Sequence, residues 1–146
     1  MKYAVLVAAV CAVAIAVGTV AVGVAQEGAA DLVIEPPASL TVGDRASVIA
    51  VVRITPPGDR PVLVTPSSEG TAVEVVRGRL LRGDADDPDA EELRFSIPIV
   101  ARAPGTAVLR VHVSGWACEE RCRPVEADTE VVMRVARRPL EDRDAP

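Results

Sequence analysis

Arg45-Ala46-Ser47-Val48-Ile49-Ala50-Val51-Val52-Arg53-Ile54-Thr55 puts Ala46, Val48, Ala50, Val52 and Ile54 on one side of an extended chain. Arg45, Ser47 and Arg53 fall on the other. A period of two with one charged face is a β-strand with one side on a core and one in water. The pattern recurs downstream. Leu93, Phe95, Ile97 and Ile99 oppose Glu92, Arg94, Ser96 and Arg102. Ala107, Leu109, Val111 and Val113 oppose Thr106, Arg110 and His112, and Val131, Met133 and Val135 oppose Glu130 and Arg134.

Adding three shorter β-branched runs gives seven predicted strands, at 31–35, 45–55, 61–65, 71–81, 91–102, 106–114 and 129–136. Pro36-Pro37, Pro56-Pro57-Gly58-Asp59 and Ala103-Pro104-Gly105 read as turns between them. After Gln26 no twelve-residue window keeps a helical period without a proline or glycine breaking it. Short alternating strands punctuated about every ten residues imply an all-β, antiparallel, immunoglobulin-like sandwich over residues 26–136. Its expected core includes Val48, Val52, Phe95, Ile97, Leu109, Val111, Val131 and Met133. Pro98, on the polar face of its strand, suggests an edge position. Gly78 suggests a bulge that resets the alternation between Val75 and Leu80. The charged, proline-bearing segment 137–146 reads as a disordered tail.

Ahead of the sandwich, Met1-Lys2-Tyr3 is followed by an almost unbroken apolar run over residues 4–25. Gly23-Val24-Ala25 before Gln26 offers the small residues that a signal peptidase reads. The run is also long enough, at about 1.5 Å per helical residue, to cross a bilayer of roughly 30 Å. A cleaved signal peptide and a retained anchor helix both remain open. Either one places the rest of the chain outside the cytoplasm, since Lys2 favours an inside N-terminus. The expected location is the periplasm, the outer face of the cytoplasmic membrane, or the medium. Cys11 is read as a small apolar residue of that segment.

The chain has 146 residues and a formal net charge of −5. After the leader, about 120 residues suffice for one domain and not two. Phe95 and Trp116 are the only aromatic residues there, so valine, isoleucine and leucine must build the core. With no basic patch, nucleic acid is not an expected partner. No P-loop, GxGxxG, HExxH or GxSxG motif is present, and the single histidine has no evident nucleophile beside it, so hydrolase chemistry is unsupported. No cofactor is implied.

Gly115-Trp116-Ala117-Cys118-Glu119-Glu120-Arg121-Cys122-Arg123-Pro124 holds the two cysteines outside the leader. In an oxidising compartment such a pair is expected to be bonded. Residues four apart in one strand would stand about 13 Å apart, whereas a disulfide needs Cα atoms roughly 4.4–6.8 Å apart. A bonded Cys118–Cys122 pair therefore requires a turn. So small a ring suits either a labile, exchangeable bridge or an inert staple. Arg121 and Arg123 favour a thiolate while Glu119 and Glu120 oppose it, so the flanking charges leave both readings standing.

This end of the chain resembles the amino-terminal periplasmic domain of the DsbD thiol:disulfide interchange family. Val111-His112-Val113-Ser114-Gly115-Trp116-Ala117-Cys118 is similar to that family's strand and aromatic residue before the first cysteine. Cys122-Arg123-Pro124-Val125 is similar to its second cysteine and following proline, and residues 130–135 to its closing strand. The resemblance implies an immunoglobulin-like sandwich and a catalytic redox pair, Cys118 and Cys122, exchanging with a thioredoxin-like partner. The cysteine spacing is shorter than usual in the family, and no aromatic residue is left to form its cap loop. The alternative is a non-catalytic secreted or membrane-anchored interaction module with a structural bridge.

Two further readings concern metals. Cys118, Cys122, His112 and Met133 are soft donors of the kind that hold Cu(I). The acidic run from Gly83 to Glu92 invites calcium but fails the EF-hand pattern at Pro88 and Asp89, and reads more simply as a solvated turn. Trp116 is expected to pack on the end of the sandwich, to shield the bridge, or to anchor a partner.

Overall fold

The computed structural model describes residues 29–139. The expected leader, 1–25, with residues 26–28, and residues 140–146 of the expected disordered tail lie outside that range. Eight strands follow in order: β1 (Ala29–Glu35), β2 (Arg45–Thr55), β3 (Val62–Glu69), β4 (Val73–Val75), β5 (Leu80–Leu81), β6 (Glu92–Ala101), β7 (Gly105–Cys118) and β8 (Cys122–Val135). They form two four-stranded antiparallel sheets, ordered β1-β2-β6-β4 and β5-β3-β7-β8. This is the expected β-sandwich, with the strand neighbours of an immunoglobulin-like domain plus a two-residue strand, β5, on one edge. Among the described residues no helix is long and apolar enough to cross a membrane.

The alternation that identifies each strand also builds the core. Val48, Ala50 and Val52 of β2 face Leu93, Phe95 and Ile97 of β6 in register, and all are buried. From the other sheet, Val62 and Val64 of β3 and Leu109, Val111 and Val113 of β7 close the layer. Each such side chain contributes roughly 1.5–3 kcal/mol through lost water contact. Phe95 is the one aromatic residue in the core, completely enclosed. Of the expected core residues only Val131 is partly exposed, although Met133, two positions along the same edge strand, is buried.

Three expectations need correction. The strand predicted over 71–81 is two: β4 joins the first sheet and β5 the second. Gly78 therefore lies where the chain crosses between layers, not in a bulge. Pro98 lies on an inner strand, since β6 runs between β2 and β4. Its carbonyl accepts the Val76 N–H at 2.9 Å, but it has no N–H to return, and the β4 ladder stops at Val75. Proline thus ends its neighbour strand and leaves its own intact. Finally, β7 and β8 run well past the predicted 106–114 and 129–136, meeting at the cysteines.

The tight places are few. Between β1 and β2, Asp44 N–H donates to Thr41 O at 2.9 Å, closing a four-residue turn in which Gly43 has φ +94°. That left-handed conformation favours glycine. Gly115 is needed for a different reason: a Cβ there would lie 2.6 Å from Ile54 Cδ1. The two sheets touch through that missing side chain. Gly115→Val should therefore destabilise the fold by about 1–3 kcal/mol through overpacking. Ile54→Ala in the same chain should recover part of that loss, so urea unfolding of the double variant should show less than the sum of the singles.

Candidate functional site

Strands β7 and β8 form one uninterrupted hairpin from Gly105↔Val135 to Cys118↔Cys122. The last partner of β7 on its other side is Val62, opposite Gly115. Beyond it, Trp116–Cys118 and Cys122–Pro124 continue as a two-stranded ribbon ending in Glu119, Glu120 and Arg121. Cys118 and Cys122 face each other directly, with Cα atoms 4.1 Å apart, and are joined by a disulfide. The pairing expected from the sequence, and the turn it demands, are both present.

So close a Cα pair belongs to the class whose N–H groups point away from each other. Two positions along, Trp116↔Pro124 has the same class, so the missing N–H of Pro124 faces the free edge of β8. A proline that breaks a ladder in mid-sheet is harmless there. The ribbon is held from below. Ala117 is 2% exposed and Val125 8% exposed, on the inner face, while Cys118 is half-buried and Cys122 exposed.

On the outer face, register divides the sheet into two zones. Away from the bridge, Arg110 lies between Glu69, at 2.6 Å, and Glu130, and His112 Nδ1 is 2.8 Å from Asp128 Oδ1. The hydrogen bond that Arg110 donates to Glu130, and then the negative charges of Glu130 and Glu69, raise the Arg110 pKa above its ordinary value. Toward the bridge the surface turns apolar. Pro61, Leu63, Leu81, Trp116 and Pro124 line a shallow groove, rimmed by Arg79, Ser114 and Glu126, whose nearest lining residues stand two positions from the cysteines along each strand. Leu81 is 53% and Trp116 46% exposed. Trp116 therefore lies on the outer face beside the cysteines and does not pack under the end of the sandwich.

The sequence marked Trp116 and the cysteines, but not Pro61, Leu63 or Leu81. Those three become neighbours of Trp116 only through the β3–β7 and β3–β5 registers, Leu63↔Ser114 and Leu63↔Leu81. No local signal carries that information.

The soft-donor set is not brought together. His112 faces outward and Met133 is buried on the inner face, while the cysteines are bonded to each other. In the acidic loop the carboxylates serve the loop's own closure. Asp84 accepts the Leu81 N–H at 2.7 Å and pairs with Arg77 at 2.8 Å, and Asp87 accepts the Asp89 N–H at 3.0 Å. The Leu81 N–H, with help from Arg77, holds the Asp84 pKa below the ordinary carboxylate value. Among the described residues no group of three or more His, Cys, Asp or Glu side chains converges as a metal site would.

No protein-family model and no curated protein matches the chain. Among solved structures, it resembles part of native alpha-2-macroglobulin from Escherichia coli, in a structure spanning domain MG7 to the C-terminus. The TM-score is 0.53 at 17% identity, over 74% of this chain and 16% of that one. A cohesin module from a Clostridium perfringens family 33 glycoside hydrolase covers 76% of this chain and 98% of its own at 12% identity, with a TM-score of 0.40. At these identities the first likeness establishes the sandwich fold alone, and the chain corresponds to about a sixth of that longer protein.

Proposed function

We propose that the protein is an extracytoplasmic immunoglobulin-like module that exchanges thiol and disulfide with a thioredoxin-like partner through Cys118 and Cys122. The carrying observation is that the ribbon is held without its bridge. The ladder from Gly115↔Val125 through Ala117↔Arg123 flanks the cysteines, and Ala117 and Val125 are buried beneath them. Opening the S–S bond frees two thiols at the tip of strands that stay paired. The resemblance to the DsbD amino-terminal domain supports the same reading.

The exchange proceeds in two balanced steps. A partner thiolate attacks Sγ of the exposed Cys122, forming a mixed disulfide, and Cys118 leaves as a thiolate and takes a proton. The partner's second thiolate then attacks its own sulfur in that mixed disulfide and releases Cys122. The partner ends as a disulfide and this chain as a dithiol, two electrons and two protons richer. Arg121 and Arg123 beside Cys122 are offset by Glu119 and Glu120 beside Cys118, so the flanking charges leave this step unbiased. The groove from Leu81 to Trp116 gives the partner an apolar surface to rest on.

That same groove also favours the second reading, an interaction module whose bridge is a staple. The two part on chemistry. In a glutathione series the bridge should show a reduction potential above the roughly −300 mV below which structural bridges fall. Cys118→Ser with Cys122 carried as its thionitrobenzoate mixed disulfide should be attacked by a thioredoxin-like protein lacking its resolving cysteine, trapping the two proteins together and releasing thionitrobenzoate, and Cys122→Ser activated in the same way at Cys118 should trap far less. A potential in the structural range with no trapped species leaves the staple.

Stability supplies an independent check. A ring this small contributes about 2 kcal/mol in the chain-entropy account. Cys118→Ser/Cys122→Ser should therefore keep its β-sheet circular dichroism and lose no more than roughly 10 °C in Tm. Loss of the folded state on reduction would refute the exchange reading.

A further inference from the structure

We propose that the thioredoxin-like partner docks by adding an extended, basic segment of its own chain to the free edge of β8, alongside Cys122–Asp128. The inference rests on the exchange reading and adds where and how the partner binds. It starts from the direction of attack. A thiolate that displaces sulfur from sulfur approaches along the line of the breaking bond, opposite the leaving group. The bond here joins two paired strands, with Cys118 on β7 and Cys122 on β8. The leaving Cys118 stands toward the middle of its sheet, so the open side of Cys122 Sγ is the side beyond β8. No strand follows β8 in that sheet.

Two observations fix what that edge offers. The 4.1 Å between the Cα atoms of Cys118 and Cys122 marks a pair whose N–H and C=O groups turn away from each other. Every second residue of β8 shares that orientation, so Glu126 and Asp128 also direct their backbone groups to the free edge. Ala136 obeys the same alternation at the far end. Its N–H donates to Leu40 O at 2.8 Å, and its carbonyl accepts the Val42 N–H at 3.0 Å. The edge thus already takes a strand once, at the Thr41↔Ala136 bridge. Among the described residues no strand pairs with it from Cys122 to Arg134. Pro124 leaves a gap in the donors, but an added segment still finds carbonyls at Cys122, Pro124 and Glu126 and N–H groups at Glu126 and Asp128.

Side chains choose the occupant. Glu126, Asp128 and Glu130 are exposed at every second position of the outer face. A second copy paired antiparallel about Asp128 would set Asp128 against Asp128 and Glu126 against Glu130, which is repulsive. A segment with Lys or Arg at alternate positions meets opposite charge instead. Seated there, the partner also reaches Pro124, on the near wall of the apolar groove.

The test compares two rates of opening the bridge in the full-length chain. One is attack by the thioredoxin-like protein lacking its resolving cysteine, and the other is attack by reduced glutathione, which needs no docked strand. Glu126→Pro removes an edge N–H at a position where proline is as tolerable as at Pro124. The ratio of protein rate to glutathione rate should fall about tenfold. Glu126→Gln, which keeps the N–H and loses the charge, should lower it about two- to threefold, and only at low salt. Val132→Pro makes the same backbone change about 33 Å from Cys122 and should leave the ratio unchanged. A second measurement needs no proline. In the trapped complex of Cys118→Ser, the amides of Glu126 and Asp128 should exchange with deuterium about tenfold more slowly than in the same chain carrying glutathione on Cys122. An undiminished ratio in Glu126→Pro, or amides at 126 and 128 that gain no protection, overturns the proposal. So does an equal fall in Val132→Pro. A wild-type bridge that glutathione opens and the protein never attacks refutes the exchange reading itself, a result distinct from attack at an undiminished ratio.

Discussion

Strand β7 carries two opposed demands through the period of two of an extended chain. Its inward set, Ala107, Leu109, Val111, Val113, Gly115 and Ala117, is buried and completes the core. Its outward set, Arg110, His112, Ser114, Trp116 and Cys118, supplies the ion pairs, the apolar groove and the redox candidate. A slip of one residue would exchange the sets, putting an arginine and an indole into the core. The burial of Leu109, Val111 and Val113 is thus what aims Cys118 outward. The site is a by-product of core packing carried a few residues beyond the second sheet's other strands.

The same face shows how a small all-β domain divides its surface. Arg110 between Glu69 and Glu130, and Arg53 with Glu92 on the opposite sheet, are exposed ion pairs. Pairs in water add little net stability. Their physical weight lies in solubility and in charges placed opposite their complements across the strands. Next to them on the same face, Leu63, Leu81, Trp116 and Pro124 form an exposed apolar patch at the candidate site's end of the sandwich.

Much of this was legible in the sequence because the core lacks aromatic bulk. An apolar set at every second position, from Ala46 to Ile54, with Arg45, Ser47 and Arg53 between its ends, leaves one assignment for 45–55, and β2 has those bounds. Phe95, Ile97 and Leu109 followed from the same rule. What was hidden depends on partners distant in sequence. Gly115 and Pro124 look like strand breakers, yet one is excused by Ile54 filling its space and the other by the free edge of β8. Thr71–Leu81 looks like one strand because local pattern cannot say which sheet a residue joins. Pro98 misled because proline ended the neighbouring strand and not its own. The cysteines were legible as a bonded turn, but the groove beside them was not, since Leu63 and Leu81 join it only through register.

The order of strands in the chain has a consequence for biogenesis. Each sheet is closed by a strand made late: β2 and β3, near the start, wait for β6 and β7, and the early pairings available are β1 with β2 and the two-residue β5 with β3. As the chain is made from its N-terminus, β3 is complete long before β7, and until then only the two-residue β5 can pair with it. Such non-local pairing folds slowly and leaves intermediates open to aggregation. The long β7–β8 hairpin is local, and once released it pairs with itself and supplies the waiting edge in one event. The second sheet is thus completed only when its last long strands are available, and its assembly waits on β7.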